Sequence, residues 1–268
     1  MDNIYIFFFI PSLEVYIELL TYLVLYLACV GKVGLTVNAG KTKYMIVSAN
    51  ERRRLGTDII IQDMTFENVS SFIYLGAELN SANKLNSEIQ RRILNGNRSY
   101  FANLKLLKSQ LISRTTKIKI YKTLIRPVAT YGCETWNVTT TDANKLRVFE
   151  RKIIRRIYGP LCENNEWRIR TNAEIEDLLG QEDIIRFVKS QRLRWIGHLE
   201  RMMETRMPKR LYKASMTGRR LPGRPRNRWK DEVQEDLRKM NVRGWRGFAS
   251  DRVEWRKIVK QAQAHTEL

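Results

Sequence analysis

Cations are the residues of this chain whose type and spacing best suit chemistry. Between residues 201 and 230, Arg201, Arg206, Lys209, Arg210, Lys213, Arg219, Arg220, Arg224, Arg226, Arg228 and Lys230 stand against Glu204 alone. Guanidinium and ammonium groups at that density neutralise phosphates and give affinity without reading bases. Two smaller sets point the same way: Lys41 with Lys43, and Arg91, Arg92 and Arg98, followed by Lys105 and Lys108 on what the spacing makes the outer face of a helix. Across the chain, 48 Lys and Arg against 28 Asp and Glu give a formal charge of +20. That balance favours a polyanionic partner over a small-molecule substrate, with nucleic acid first and an acidic membrane surface second.

Other chemistry finds little support. The chain has no Gly-rich phosphate loop, no Ser/His/Asp set and no Cys/His pair at catalytic spacing. Cys29, Cys133 and Cys162 are odd in number and far apart, which rules out a disulfide framework or a CxxC knuckle and fits a reducing, intracellular compartment, nuclear or cytoplasmic. A zinc site would need a scattered set such as Cys133, Cys162 and His198, and buried thiols are the simpler reading. His198 beside Trp195 has no second ligand at useful spacing, so helix packing is expected of it. Trp136, Trp195, Trp229 and Trp255 lie in helical or turn contexts where a large ring normally fills core, although each has a face on which a base can stack.

These residues need elements to position them. Residues 1–31 lack Lys and Arg and are strongly apolar, but Pro11, Glu14 and Glu18 interrupt the run, short of the roughly 20 apolar residues of a spanning helix. Asp2 also stands where a secretory signal wants positive charge. The segment reads as a buried strand, Ile4 to Ile10, then a buried helix; a membrane anchor is the alternative. Lys43 to Ser48, Asp58 to Ile61, and Phe66 to Leu75 closed by Gly76 carry strand signals, with Glu51 to Arg54 as a charged turn. Beyond them the period lengthens, and Leu85, Ile89, Ile93, Gly96, Tyr100, Leu104 and Leu107 fall on one helical stripe.

Further helices are expected over about 115–131, bent near Pro127, and over 142–158, stopped by Gly159-Pro160. A short one opens on the capping box Thr171 to Glu174 and closes at Gly180. The rest fall over 182–203 with Ile185, Val188, Ile196, Leu199 and Met203 inward, 229–240 with Val233 and Leu237 inward, and 249–262 with Val253, Ile258 and Trp255 as candidates for the inner face. With hydrophobic residues at 43%, the chain can bury a real core. The fold class is α+β: a small β-containing start, then a mainly α-helical body.

Several ordered motifs resemble one family. Gly34-Leu35-Thr36-Val37-Asn38-Ala39-Gly40-Lys41-Thr42-Lys43-Tyr44-Met45 is similar to the segment that follows the catalytic strand of non-LTR retrotransposon reverse transcriptases. Phe72-Ile73-Tyr74-Leu75-Gly76 is similar to their primer-grip turn. Tyr121 to Pro127, Tyr131 to Trp136, Arg192 to Met202, Gly223 to Trp229 and Asp251 to Arg256 continue the likeness over about residues 13 to 262. It implies a partial palm over 1–80 with Phe72, Tyr74, Leu75 and Gly76 as the primer-grip-like turn, a thumb-like region over 81–160 and a basic helical region over 161–268. It further implies that Lys41 sits near an incoming nucleotide, and that the body holds RNA or DNA without sequence preference. The family polymerises with two Mg²⁺ ions clamped about 4 Å apart by carboxylates. Here Ile4 to Ile10 occupies the place of the Asp-Asp strand with only Asp2 beside it, and the first palm carboxylate would lie upstream of Met1, so no metal, cofactor or polymerase activity is expected of this chain. Gly223-Arg224-Pro225, with Arg219, Arg220 and Arg226 around it, also resembles an AT-hook core, which lays arginines in a narrow minor groove. An exposed basic linker is the plainer reading.

Overall fold

The computed structural model describes residues 38, 40–48, 51–54, 56–61, 63–180, 182–214 and 228–265. The expectations for residues 1–31 and for Arg219, Arg220, Arg224 and Arg226 lie outside the described residues. The chain is α+β and divides into two compact units, Met1–Glu88 and Ile89–Leu268.

In the first unit, β1 (Lys43–Tyr44) runs parallel to β3 (Met64–Asn68), and β2 (Ile59–Ile61) pairs antiparallel on its other side. Period-two alternation buries Ile59, Ile61 and Phe66 and leaves Ile60 72% exposed between them. Glu51–Arg54, expected as a turn, forms a short helix, α1. The expected strand from Phe66 to Leu75 is two strands in two sheets. The Val69 N–H makes the last ladder bond of β3, to the Tyr44 carbonyl of β1 at 2.9 Å, and after Ser70 the chain continues as β4 (Ser71–Tyr74), paired with β5 (Ala77–Asn80). The β4–β5 turn is Leu75-Gly76, with φ of +46° and +79°. This left-handed pair matches strand twist, suits Gly76 and costs Leu75 about 1 kcal/mol. Buried Glu88 accepts the Glu78 N–H at 2.7 Å, tying the hairpin to the start of the helix α2 (Asn86–Ala102).

In the second unit α2 is followed by α3 (Leu104–Lys108) and α4 (Arg114–Ile120). The bend expected near Pro127 is a π turn, Tyr121–Ile125, leading into α5 (Arg126–Ala129). Proline has no N–H for the Thr123 carbonyl and crowds it, so the helix widens one turn earlier. After a 3-10 turn, Cys133–Thr135, α6 (Thr140–Tyr158) ends at Gly159, whose φ of +72° stops it. A hairpin, β6 (Leu161–Glu163) and β7 (Glu166–Arg168), leads to α7 (Asn172–Leu178), which carries the expected Thr171–Glu174 capping box, and Gly180 follows at φ +62°.

Helix α8 (Ile184–Arg201) is the axis of the C-terminal half, with α9 (Met207–Lys213), α10 (Trp229–Lys239), α11 (Trp245–Ser250) and α12 (Arg252–Ala264) packed on it. Leu193, Ile196 and Leu199 pack with Val233, Leu237, Ala249, Trp255, Ile258 and Ala262. Three readings need correction. The last helix is two, because the Asp251 carboxylate caps α12 through the Val253 N–H at 2.6 Å. Val253 is consequently in the first turn of α12 and 62% exposed. Met203 is 64% exposed, because α8 ends at Arg201.

The tightest contact in this half lies at Gly197. Trp255 Nε1 donates to the Leu193 carbonyl at 2.9 Å, laying the indole across the α8 backbone. A Cβ at Gly197 would stand 2.0 Å from that nitrogen. Gly197→Ala is therefore expected to displace the indole and lower unfolding stability by about 3 kcal/mol, the scale of core overpacking. Urea denaturation would check this; a loss below about 0.5 kcal/mol, the level of a surface change, would mean the contact is loose.

Candidate nucleic-acid interface

Many of the cations are structural. The row Arg147, Arg151 and Arg155 on α6 is spaced four residues apart. Arg147 meets Asp183 at 3.2 Å, Arg151 meets Glu176 at 2.6 Å, and Arg155 meets Asn172 at 2.7 Å and the Arg170 carbonyl at 3.1 Å. Arg192, on α8, is 1% exposed. It pairs with buried Asp236 of α10 and lies 3.5 Å from both Glu232 and the Trp136 carbonyl, while Lys189 reaches Asp236 at 3.2 Å. Desolvating these charges costs several kcal/mol per ion, so the set is tolerable only because the partners meet; removing one would leave an uncompensated buried charge.

The 201–230 cluster is divided in the same way. Lys209 is buried and donates to the Glu200 carboxylate at 2.9 Å and its carbonyl at 3.0 Å. Lys213 pairs with Glu204 at 2.6 Å, Arg201 donates to the Ala249 carbonyl at 2.5 Å, and Lys230 lies over the Tyr212 ring at 4.5 Å. Arg206, Arg210 and Arg228 stay exposed.

The remaining sequence-predicted residues are placed as follows. Lys41 is exposed, its N–H bonded to Asn38 Oδ1 at 3.1 Å, whereas Lys43 is ion-paired with Glu67 across the β1–β3 ladder. Phe72, Tyr74, Leu75 and Gly76 lie in the β4–β5 hairpin, in which Ile73, Tyr74, Leu75 and Leu79 are exposed. Arg91 is half-buried and Arg98 exposed beside Asn95. Arg92, expected outward with them, is 6% exposed and stacks on Tyr131 at 4.5 Å, because three residues after Ile89 the helix has turned back to its inner face. His198 is exposed, its ring 5.4 Å from Trp195, and is not packed inside. Trp136 and Trp255 are buried core, whereas Trp195 and Trp229 are half-buried. Cys133 is buried and Cys162 exposed, and burial pushes the Cys133 thiol up to about 12. Among the described residues no cluster of His, Cys, Asp and Glu is assembled to hold a metal, and no helix is long and apolar enough to cross a membrane.

Among the described residues, exposed cations without an acid partner recur along α3 and α4 (Lys105, Lys108, Lys119), on α9 (Arg210) and on α12. On α12, Arg256 and Lys260 continue the ridge begun by Arg252 at intervals of four. Sequence reading missed the buried acids. Their signal was present, since Asp236 lies on the stripe of Val233 and Leu237, and Glu150 on that of Leu146, Ile153 and Ile157.

Glu150 joins three segments. Its carboxylate accepts the Tyr121 hydroxyl at 2.6 Å and the Ile184 N–H, at the start of α8, at 2.7 Å. Burial outweighs these bonds and raises its pKa to about 7. The folded state thus keeps a proton that the unfolded chain releases above its ordinary value of 4.5, so stability falls as pH rises from about 4.5 to 7. The integrated effect is on the order of 3 kcal/mol. Glu150→Gln, which still offers an acceptor to Ile184, is expected to gain stability relative to the parent over that window and to hold the gain above it. Urea midpoints of both proteins from acidic to neutral pH measure this, and a difference that does not vary with pH would refute the assignment.

With this geometry in place, a comparison with curated proteins finds a Caenorhabditis elegans chain described as transposon-derived and uncharacterised. It is 24% identical over 236 residues, covering 86% of this chain and 84% of the relative. No family model and no solved structure matches the chain. The likeness extends over most of both chains, and it is to a protein of transposon origin.

Proposed function

We propose that this chain is a reverse-transcriptase-derived protein of a non-LTR retrotransposon that binds nucleic acid, RNA or DNA, through phosphates and does not itself polymerise nucleotides. The observation that carries this reading is the division of charge. In the second unit the buried acids Glu150 and Asp236, and the partly buried Asp183 and Glu200, are taken up by internal partners, while Lys105, Lys108, Lys119, Arg210, Arg256 and Lys260 remain exposed without one among the described residues. Among the described residues the cations left over from these internal contacts are on surface able to meet a polyanion, in a chain whose formal charge is +20. The similarity to a transposon-derived protein supports the origin. The ordered motifs from Gly34 to Arg256 support the reverse-transcriptase ancestry, with Lys41 and the Phe72–Gly76 turn as palm residues. The absence of an Asp-Asp pair at Ile4 to Ile10 supports the lack of polymerisation.

Binding to duplex DNA is expected to weaken with salt at a slope of log K against log salt of roughly −5, as for about six phosphate contacts. Arg210→Gln, Arg256→Gln and Lys260→Gln combined should make the slope shallower by about 2 to 3 at unchanged melting temperature. Absent binding, or binding indifferent to salt, would overturn the reading. Primer extension with Mg²⁺ or Mn²⁺ is expected to give no product, and incorporation abolished by changing Asp2 would refute the claim of inactivity.

A further inference from the structure

The β6–β7 ribbon has its polar and apolar sides reversed. Arg168, paired across the ladder with Leu161, donates to Glu163 at 2.8 Å and, with both terminal nitrogens, to Glu174 of α7 at 3.0 and 2.6 Å. The charged face of the ribbon is therefore clamped against α7, and the Arg168 fork holds the Glu174 carboxyl down at about 2. Strand alternation then turns Cys162, its cross-strand partner Trp167 and the following Ile169 outward. Trp167 is 72% and Ile169 76% exposed. The turn is Asn164-Asn165 with φ of +52° and +63°, a two-residue left-handed pair that Asn tolerates and that fixes the ribbon's register. The result is a large ring on a rigid support with water on one side.

Resting on the nucleic-acid reading above, we propose that Trp167 is a stacking platform for an unpaired base of single-stranded nucleic acid. A face of three residues falls far below the roughly 800 Å² per partner of a stable protein interface, yet a single indole matches the area of one base. The flanks are cationic. Arg156, on the last turn of α6, is exposed and unpaired among the described residues. Arg170 uses its Nε on the Gly159 carbonyl at 3.1 Å, and its terminal nitrogens bond to nothing among the described residues. Arg156 and Arg170 thus stand in the stretch of chain that carries Trp167, and the chain's formal charge of +20 draws the phosphates of a strand to it. The ring's π face accepts any base, so the platform adds affinity for single strands without sequence preference.

The test compares the full-length parent, Trp167→Ala and Trp167→Phe on a thymine-rich single strand carrying one 2-aminopurine and on a blunt duplex of equal length. Trp167→Ala is expected to weaken single-strand binding about tenfold or more and to abolish the quenching of 2-aminopurine, while duplex affinity stays within about twofold and Trp167→Phe keeps most of both. Unchanged single-strand binding, or equal losses on both forms, overturns the platform while leaving nucleic-acid binding in place. A parent that binds neither form overturns both readings. Sedimentation of the parent and Trp167→Ala covers the other occupant: a dimer dissolved by the substitution would make the ribbon a contact between copies and refute the proposal.

Discussion

The C-terminal half depends on how closely α12 can approach α8. Trp255 lays its indole on the α8 backbone and donates to the Leu193 carbonyl, and this geometry exists because Gly197 presents no Cβ there. Helices usually pack through interdigitating side chains at 8–10 Å between axes; here a ring replaces the ridge and a glycine supplies the groove. Once α12 is seated, Ile258 and Ala262 close over the rest of α8, and α10 and α11 complete the same core.

A helix surrounded in this way must bury residues that are not apolar, and α8 buries Arg192. The guanidinium meets Asp236 and Lys189 shares that carboxylate, so α10 is bound to α8 by an ionic contact as well as by Val233 and Leu237. At the start of α8 the Glu150 carboxyl receives the Ile184 N–H, satisfying one of the donors that a helix start leaves open. Buried polar contacts therefore fix α8 against α6 at its start and against α10 near its middle. Such groups add little net stability, but misplacement of either helix would leave a buried polar group without a partner.

The same division clarifies the surface. A basic sequence has the same formal charge whether its cations lock helices together or face solvent, yet only the latter attract a polyanion at full strength. Arg147, Arg151, Arg155, Arg192 and Lys209 belong to the first kind, and Arg210, Arg256 and Lys260 to the second. The β6–β7 ribbon inverts the pattern, with its arginine inward on an acid pair and its tryptophan outward.

Local and periodic information settled much of this. Caps, glycines and stripe spacing located most helices, because these depend on residues within one or two turns: the Thr171–Glu174 box, the stop at Gly159, and the inward set of Ile185, Val188, Ile196 and Leu199. The α+β class followed from the change of period near residue 85. Features that depend on distant partners were not legible. Nothing between Phe66 and Leu75 marks the point where β3 leaves one sheet and β4 enters another, since the segment has β-propensity throughout and the break is set by the distant strands that each half pairs with, β1 and β2 for β3 and β5 for β4. Charge was visible but its use was not: Arg92 and Arg98 look alike in sequence, and only the turn of α2 toward Tyr131 separates them. Trp167 passed unnoticed for the same reason, because a tryptophan in a short alternating segment points inward or outward according to which face the rest of the fold covers, and here α7 covers the face that holds Arg168.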